Sequence, residues 1–395
     1  MLLNARQLAS RRGAGQNGAM TKPALAIRLL HLIDTGGPGG AETMFAALAR
    51  RGGAFQMNAS VAVPYEGWLA NELRSQGLQP TVLPSKGAGA LDFTRRLYDL
   101  ARSTGANTIV AHLLGAGVYG SLVGTLRRMP VISIFHGETD LRAAGTLAPA
   151  KRWLINRRHV TPVAVSETVA ASLANWGVRA RRIRIIRNGV DTRRYLPVGS
   201  GSLHSELGIA PSCPIVGAVG NIRPAKDYPV LLEAARIAGS HDRSVHFVIA
   251  GSGSKADLSE LARLATEFGI SDRVHWIGFR PSSTDLYRSF SIMASSASTE
   301  GLPLSFLEAM SCGIPIAATS NDGAARLITE TGAGVLSPIG DPAGLAASFL
   351  RLLENPTLRE SLARRGREAV SSRFSLETTL EQYHELYAET WHEFR

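Results

Sequence analysis

The sequence predicts an α/β protein built from two doubly wound domains. Short apolar runs alternate with helical patterns along most of the chain, the rhythm of parallel strands joined by crossover helices. The rhythm runs twice, on either side of Pro197-Val198-Gly199-Ser200-Gly201-Ser202, whose composition is that of a linker. A length of 395 residues accommodates two or three domains. The expected division is a first domain over 25–195, a linker over 196–212 and a second domain over 213–374.

Composition narrows the function classes. Cys213 and Cys312 are too few for a disulfide scaffold and do not stand at metal-ligand spacing, so a reducing cytoplasm is expected. No apolar run reaches transmembrane length. The net charge of +11 is uneven: residues 1–200 hold 26 Lys and Arg against 10 Asp and Glu, and residues 201–395 hold 17 against 22. A basic first half suits an anionic membrane surface, an anionic acceptor or a nucleic acid, and a generally Arg-rich proteome explains it equally well. A nucleic-acid site would need aromatic and basic residues interleaved on one face, and no nucleic acid is expected as a partner.

Residues 1–24 have no periodicity and no apolar core of a secretory signal. They read as a disordered tail, with Met20 an alternative start. Ile27 to Ile33 is an apolar run, followed by a loop from Asp34 to Glu42 and a helical pattern through Arg51. Gly39 and Gly40 in that loop would let a ligand approach the backbone at a helix start, although a tight structural turn fits as well. The loop is neither a Lys-Ser/Thr phosphate loop nor the dinucleotide fingerprint. Further strands are expected at 58–63, 80–83, 107–111, 130–135, 161–165 and 183–186. Ligands of such sheets bind at the carboxyl ends of strands, which brings forward His112, His136 and Ser166-Glu167. A His in that position is usually structural, and His112 is read so; Ser166 also suits a helix N-cap. Two basic runs stand out: Lys151, Arg152, Arg157 and Arg158 beside Trp153, then Arg179, Arg181, Arg182, Arg184 and Arg187. They suit anionic lipid headgroups or a lipid pyrophosphate, or form a solvated face.

The second series starts with the run Pro214 to Val219. Arg223 and Lys226 follow it at a strand mouth, where cations can clamp a diphosphate. Val245 to Ala250 leads into Gly251-Ser252-Gly253, and Arg273 to Phe279 is the next strand and turn. The stretch that organises the rest is Glu300-Gly301-Leu302-Pro303-Leu304, then Ser305-Phe306-Leu307-Glu308-Ala309-Met310, then Gly313-Ile314-Pro315. A helix is expected to start near Pro303, in its first turn, and to stop at Gly313, ahead of a short buried strand over 314–318. Glu300 and Glu308 would then flank a helix start whose free amides favour an anion. Carboxylates accept from sugar hydroxyls and amides donate to phosphate, so the pair suits a nucleotide sugar. By spacing alone the two Glu are a solvated pair. Two helices are expected from 341 to 373 with a break near Asn355-Pro356, then a last helix from about Leu376 to Phe394 (375–395 as a unit) with Tyr383, Tyr387 and Trp391 as a packing stripe.

The stretch from Glu300 to Thr319 resembles the E-x7-E signature of the retaining family 4 glycosyltransferases, with its Gly after the first Glu, its Leu-Glu-Ala-Met helix and its Gly-x-Pro turn. The loop Gly39-Gly40-Ala41-Glu42, the strand-His-Gly at His136 and the turn Asn188-Gly189-Val190-Asp191 are similar to other motifs of that family. The resemblance covers about residues 27–390. It implies the GT-B fold, two Rossmann-like domains facing across a cleft, with the last helix crossing back to the first domain. It further implies transfer of a sugar from a nucleoside-diphosphate donor to a hydroxyl acceptor, with retained configuration and no metal or other cofactor. By the same resemblance Glu300 and His136 lie at the reacting sugar. Gly39, Gly40, Arg223, Lys226, Gly251, Leu302, Pro303 and Leu304 surround the donor, and Glu308 holds its ribose. The family places an Arg directly after Gly220, where this chain has Asn221, and Arg223 is the expected substitute. Surface polysaccharide or glycolipid assembly is the expected role, with a glycan or lipid-linked acceptor. A 2-epimerase on the same fold and a non-catalytic nucleotide-sugar-binding partner remain open.

Overall fold

The structure, a computed structural model, describes residues 27–51, 57–84, 89–137, 141, 145–199, 201–280 and 284–394. The expected tail over 1–24 lies outside them. Seven strands follow one another through the first half: β1 Arg28–Ile33, β2 Asn58–Val63, β3 Pro80–Val82, β4 Thr108–His112, β5 Val131–Phe135, β6 Val160–Ala164 and β7 Arg184–Ile185. They form one sheet in the order β3-β2-β1-β4-β5-β6-β7, and every pairing is parallel. The crossovers are α1 Gly40–Arg51, α2 Trp68–Ser75, α3 Ala90–Ser103, α4 Leu114–Arg127, α5 Ala148–Ile155 and α6 Glu167–Trp176. β4 and β5 are buried along their whole length because helices cover both faces, which is why they read as continuous apolar runs. Ser166 caps α6 as expected, accepting from the Val169 amide at 3.2 Å.

The second half repeats the plan with six strands: β8 Ile215–Val219, β9 His246–Ala250, β10 Val274–Gly278, β11 Ile292–Ser295, β12 Ile316–Thr319 and β13 Gly334–Ser337. Their order is β10-β9-β8-β11-β12-β13, again parallel throughout. A short helix, α7 Leu203–Glu206, precedes this sheet; α8 Tyr228–His241, α9 Lys255–Glu267, α10 Thr284–Ser289, α11 Leu304–Ser311 and α12 Asp322–Thr331 connect its strands. Two of these strands, β11 and β13, are absent from the sequence expectations. Each has four residues; β11 runs straight into a small-residue loop, and β13 is a half-exposed edge.

Three more helices close the chain: α13 Pro342–Glu354, α14 Pro356–Arg373 and α15 Leu376–Phe394. The break at Asn355 is a cap, its side chain accepting from the Leu358 amide at 2.9 Å. α14 stays with the second sheet, its Arg367 donating to Ser311 O at 2.6 Å. The chain then recrosses beside Val190, whose amide donates to Phe374 O and whose carbonyl accepts from Leu376, both at 2.9 Å. α15 lands on the first half: Leu380, Tyr383, Leu386 and Tyr387 share one core with Ile132, Val163 and Leu173.

Leu380 is 3% exposed in that core. Leu380→Ala should therefore lower unfolding stability by about 2–5 kcal/mol, read by denaturant titration, although residue and core are more than 200 positions apart in sequence. A change under about 0.5 kcal/mol would mean that α15 is not part of this core.

Candidate active site

The carboxyl ends of the two sheets face each other, so the loops after the strands meet. The loop after β11 is held by its neighbours. Ser296 Oγ donates to Lys226 O at 2.8 Å, Ser298 N to Ala225 O at 2.9 Å, and Asn321 Nδ2 to Ala297 O at 2.9 Å. α11 begins one residue later than the sequence suggested. Pro303 is its N-cap, extended at φ −69° and ψ 118°, not a first-turn residue. Pro303 has no side-chain acceptor to offer the first amides of α11; Phe306 N donates to the Pro303 carbonyl at 3.1 Å, and Leu304 and Ser305 precede it at the helix start. At the other end Gly313, with φ +74°, follows the cap Cys312 and stops the helix.

Lys226 reaches the same place from the second domain's first loop, on a 3-10 turn over Pro224–Lys226. Its Nζ donates to Glu300 Oε1, and the pair is only 19% and 16% exposed. Tyr228 completes the corner by donating to Gly220 O at 2.7 Å. Burial, then the negative charge of Glu300, raises the Tyr228 hydroxyl, which stays protonated; Arg223 acts on it in the opposite sense. Arg223 is exposed at this mouth, three positions before Lys226. Gly251 lies against this turn so closely that a Cβ would stand 2.6 Å from the Gly220 carbonyl carbon; only glycine fits there. Glu308 lies further along α11, half-buried, its Oε2 accepting from Tyr287 Oη at 2.6 Å. Its partner is thus not that of Glu300, which lies in the loop before α11 and pairs with Lys226.

The first domain closes over this corner. Gly40 lies against Leu304, and Gly39 against the carboxylate of Glu42. Gly301 touches the His136 carbonyl so closely that a Cβ would sit 2.8 Å from its oxygen. Asn221, at the position of the family Arg, donates to Pro38 O at 2.7 Å and accepts from Ser252 N at 3.2 Å. It ties the mouths of β8 and β9 to the glycine loop. At the rim Trp68 meets Phe279 edge to face, with ring centroids 5.7 Å apart. On the far side Arg326 pairs with Glu167 at 3.4 Å and Arg187 with Glu330 at 2.8 Å. None of these contacts is legible in the sequence, because each joins loops that lie far apart in it.

His136 is placed at the cleft by its backbone, but its ring turns inward. His136 Nε2 lies 3.1 Å from His112 Nδ1, with the rings stacked at 5.3 Å. His31 stands 6.3 Å behind His112. His136 Nδ1, His112 Nε2 and both nitrogens of His31 find no hydrogen-bond partner among the described residues. Burial lowers His136 to about 4 and His31 to about 3, and holds His112 well below its ordinary value. Sequence reasoning missed His31 and left His112 structural. The available signal was a polar residue in or just after each of three adjacent parallel strands, β1, β4 and β5.

Among the described residues no group of three or more His, Cys, Asp or Glu side chains is placed to hold a metal ion. The chain matches the family described as Glycosyltransferase Family 4 over residues 38–194, and that described as Glycosyl transferases group 1 over residues 202–369. The chain belongs to glycosyltransferase family 4. This glycosyltransferase is similar to the D-inositol 3-phosphate glycosyltransferase of Corynebacterium efficiens, at 28% identity, over 83% of this chain and 79% of the relative. It is also similar to the lipopolysaccharide core biosynthesis glycosyltransferase LpsE of Rhizobium meliloti, at 29% identity over 53% of this chain and 58% of that one. Its fold superposes on Anabaena HepE in complex with UDP-glucose, with a TM-score of 0.82, 24% identity, and 92% and 100% of the two chains covered. The two facing parallel sheets are thus the GT-B fold, in a retaining glycosyltransferase that uses a nucleotide sugar.

The histidine row gives this glycosyltransferase an acid limit. Unfolded histidines take up protons near 6.5, whereas His136 waits until about 4 and His31 until about 3. Stability from their burial is therefore complete above pH 6.5 and is lost as pH falls toward 4. Thermal melting against pH should fall in that window, and His31→Phe should make the fall shallower; an unchanged profile would remove the row as its cause. His112→Asn, which keeps a polar group at the Nδ1 position, should keep more activity than His112→Leu. Equal activities would mean that the 3.1 Å contact is not used.

Proposed function

We propose that the enzyme moves a hexose from a nucleoside-diphosphate sugar to a hydroxyl of a glycan or lipid-linked acceptor, in surface-polysaccharide or glycolipid assembly. The observation that carries this reading is the corner where Lys226, Glu300 and the free start of α11 meet under the glycine loop of the other domain. The diphosphate has its cations in Lys226 and Arg223 and its amide donors from Leu304, with Leu302 and Pro303 shaping the approach and Gly251 leaving room beneath. Glu300 accepts from hexose hydroxyls and Glu308 from the ribose, each exchanging a protein donor for a ligand hydroxyl.

Binding then exchanges one ion pair for two contacts. Lys226 leaves Glu300 for the phosphate, and Glu300 takes the sugar, so neither group is left buried alone. In the transfer itself the acceptor oxygen bonds to the anomeric carbon as the bond from that carbon to the phosphate oxygen breaks. The departing diphosphate carries away both electrons and takes the acceptor's proton, on the face from which it leaves. Charge develops on that diphosphate, where Lys226 and the α11 amides are already oriented. The His136 backbone and Gly39-Gly40 cover the pocket and exclude water. The setting that fits this acceptor class is the cytoplasm, peripheral to the inner face of the membrane.

Melting temperature is the test, read across a panel of nucleotide sugars and free nucleotides. A nucleotide sugar should raise it by mass action, and Glu308→Ala should reduce the rise. With the matching donor and acceptor, Lys226→Ala should lower kcat by about 10²–10³-fold. No shift with any member of the panel, or full turnover in Lys226→Ala, would overturn this reading of the corner.

A further inference from the structure

Tyr65 is turned the wrong way for a surface tyrosine. Such a residue ordinarily lays its ring on the protein and keeps its hydroxyl in water. Here the hydroxyl is turned onto the glycine loop, where Tyr65 Oη accepts from Gly36 N at 3.2 Å, and the residue is still 47% exposed. The ring is held by two glycines. A Cβ on Gly36 would stand 3.2 Å from both Cε2 and Cζ of the ring, and one on Gly67 would stand 3.1 Å from Cε2. A side chain at either position would press on the ring.

Topology puts this ring at the cleft. Tyr65 follows β2, which pairs in parallel with β1, so its loop emerges beside the glycine loop. Leu69 N donates to Gly36 O at 3.0 Å, which laces α2 to that loop. Further along the loop Pro38 O meets Asn221 and Gly40 meets Leu304, both from the second domain. Trp68, at the start of α2, meets Phe279 at the rim. The Tyr65 loop is braced by Arg74, whose Nη1 and Nη2 each donate to a Glu66 carboxylate oxygen at 2.7 Å. Among the described residues the other exposed Trp, Tyr or Phe side chains are Trp153, on α5, and Phe394, at the end of α15; neither sits in a loop after a strand.

We propose that the Tyr65 ring is the platform for a sugar ring of the acceptor, which makes the acceptor of this enzyme a glycan. This deepens the transfer reading above and rests on it. An exposed ring whose polar tip is already bonded has little to offer water. The C–H groups on one face of a pyranose carry small positive charges, and they fit the negative face of an aromatic ring. The ring is fixed before a ligand comes, so stacking on it costs little side-chain entropy. Its place suits the acceptor and not the donor. Lys226 and α11 lie in the second domain, where Gly40 meets them, and Tyr65 touches the opposite end of the glycine loop at Gly36.

Saturation-transfer NMR on the full chain tests it, with the methyl glycosides of glucose, galactose, mannose and N-acetylglucosamine as probes. At least one should receive magnetisation through its C–H protons in wild type. Tyr65→Ala should raise the dissociation constant of that glycoside about tenfold. Tyr65→Phe, which keeps the ring, should hold it within about threefold of wild type. The rise in melting temperature with a nucleotide sugar should be the same in all three proteins. The proposal is overturned if no glycoside binds, or if Tyr65→Ala binds it as tightly as wild type. It is overturned equally if Tyr65→Ala also loses the nucleotide-sugar rise, which would make Tyr65 a brace of the glycine loop or a contact of the donor's base. Failure of the donor reading has a different signature: glycoside binding would still depend on Tyr65, while no nucleotide sugar raised the melting temperature of wild type.

Discussion

The ion pair between Lys226 and Glu300 is the interaction on which the site depends. Its members are 74 positions apart and come from loops after different strands of one sheet. Both are largely withdrawn from water, so each satisfies the other, and removing either would strand a charge. The surrounding bonds serve to keep the two loops in register: Ser296 and Ser298 fasten the Glu300 loop to the backbone of the Lys226 turn, while Thr319 and Asn321 hold Ala297 from behind. The consequence for chemistry is that the cation and the carboxylate are already placed before a substrate arrives. On the function proposed above, a ligand with an anionic group next to hydroxyls would part them and satisfy both at once.

Parallel topology explains how so many of these groups come together. A strand joined to a parallel neighbour by a crossover helix always delivers its following loop to the same edge of the sheet. Loops after β1, β5, β8, β9 and β11 therefore reach one cleft although they are scattered through the sequence. The amino-end loops are delivered with equal regularity to the far edge, where Arg127, Arg128, Arg157, Arg158, Arg179, Arg181 and Arg182 collect. A single rule of chain direction thus sorts the loops of the first sheet to two edges.

That rule also decides what the sequence could reveal. Strand-and-helix alternation is periodic and local, so the fold class and most strands were legible, as were the cap at Ser166 and the stop at Gly313. β11 and β13 were not, because four residues are too few for a period to appear. The stretch from Glu300 to Glu308 was legible because residues adjacent in sequence share one loop and one helix. The ring orientation of His136, the link from Asn221 to Pro38 and the Trp68–Phe279 contact were hidden, since each depends on how two distant loops approach. Asn221 is instructive: read alone it is a lost cation, and in three dimensions it is a tie between domains.

The edge-to-face contact of Trp68 with Phe279 closes the rim of a cleft that is also held by Asn221 and by the ion pairs of Arg187 and Arg326. Opening that rim requires parting the two rings and breaking the Asn221 bond and the ion pairs, because each of these contacts bridges the two halves of the chain.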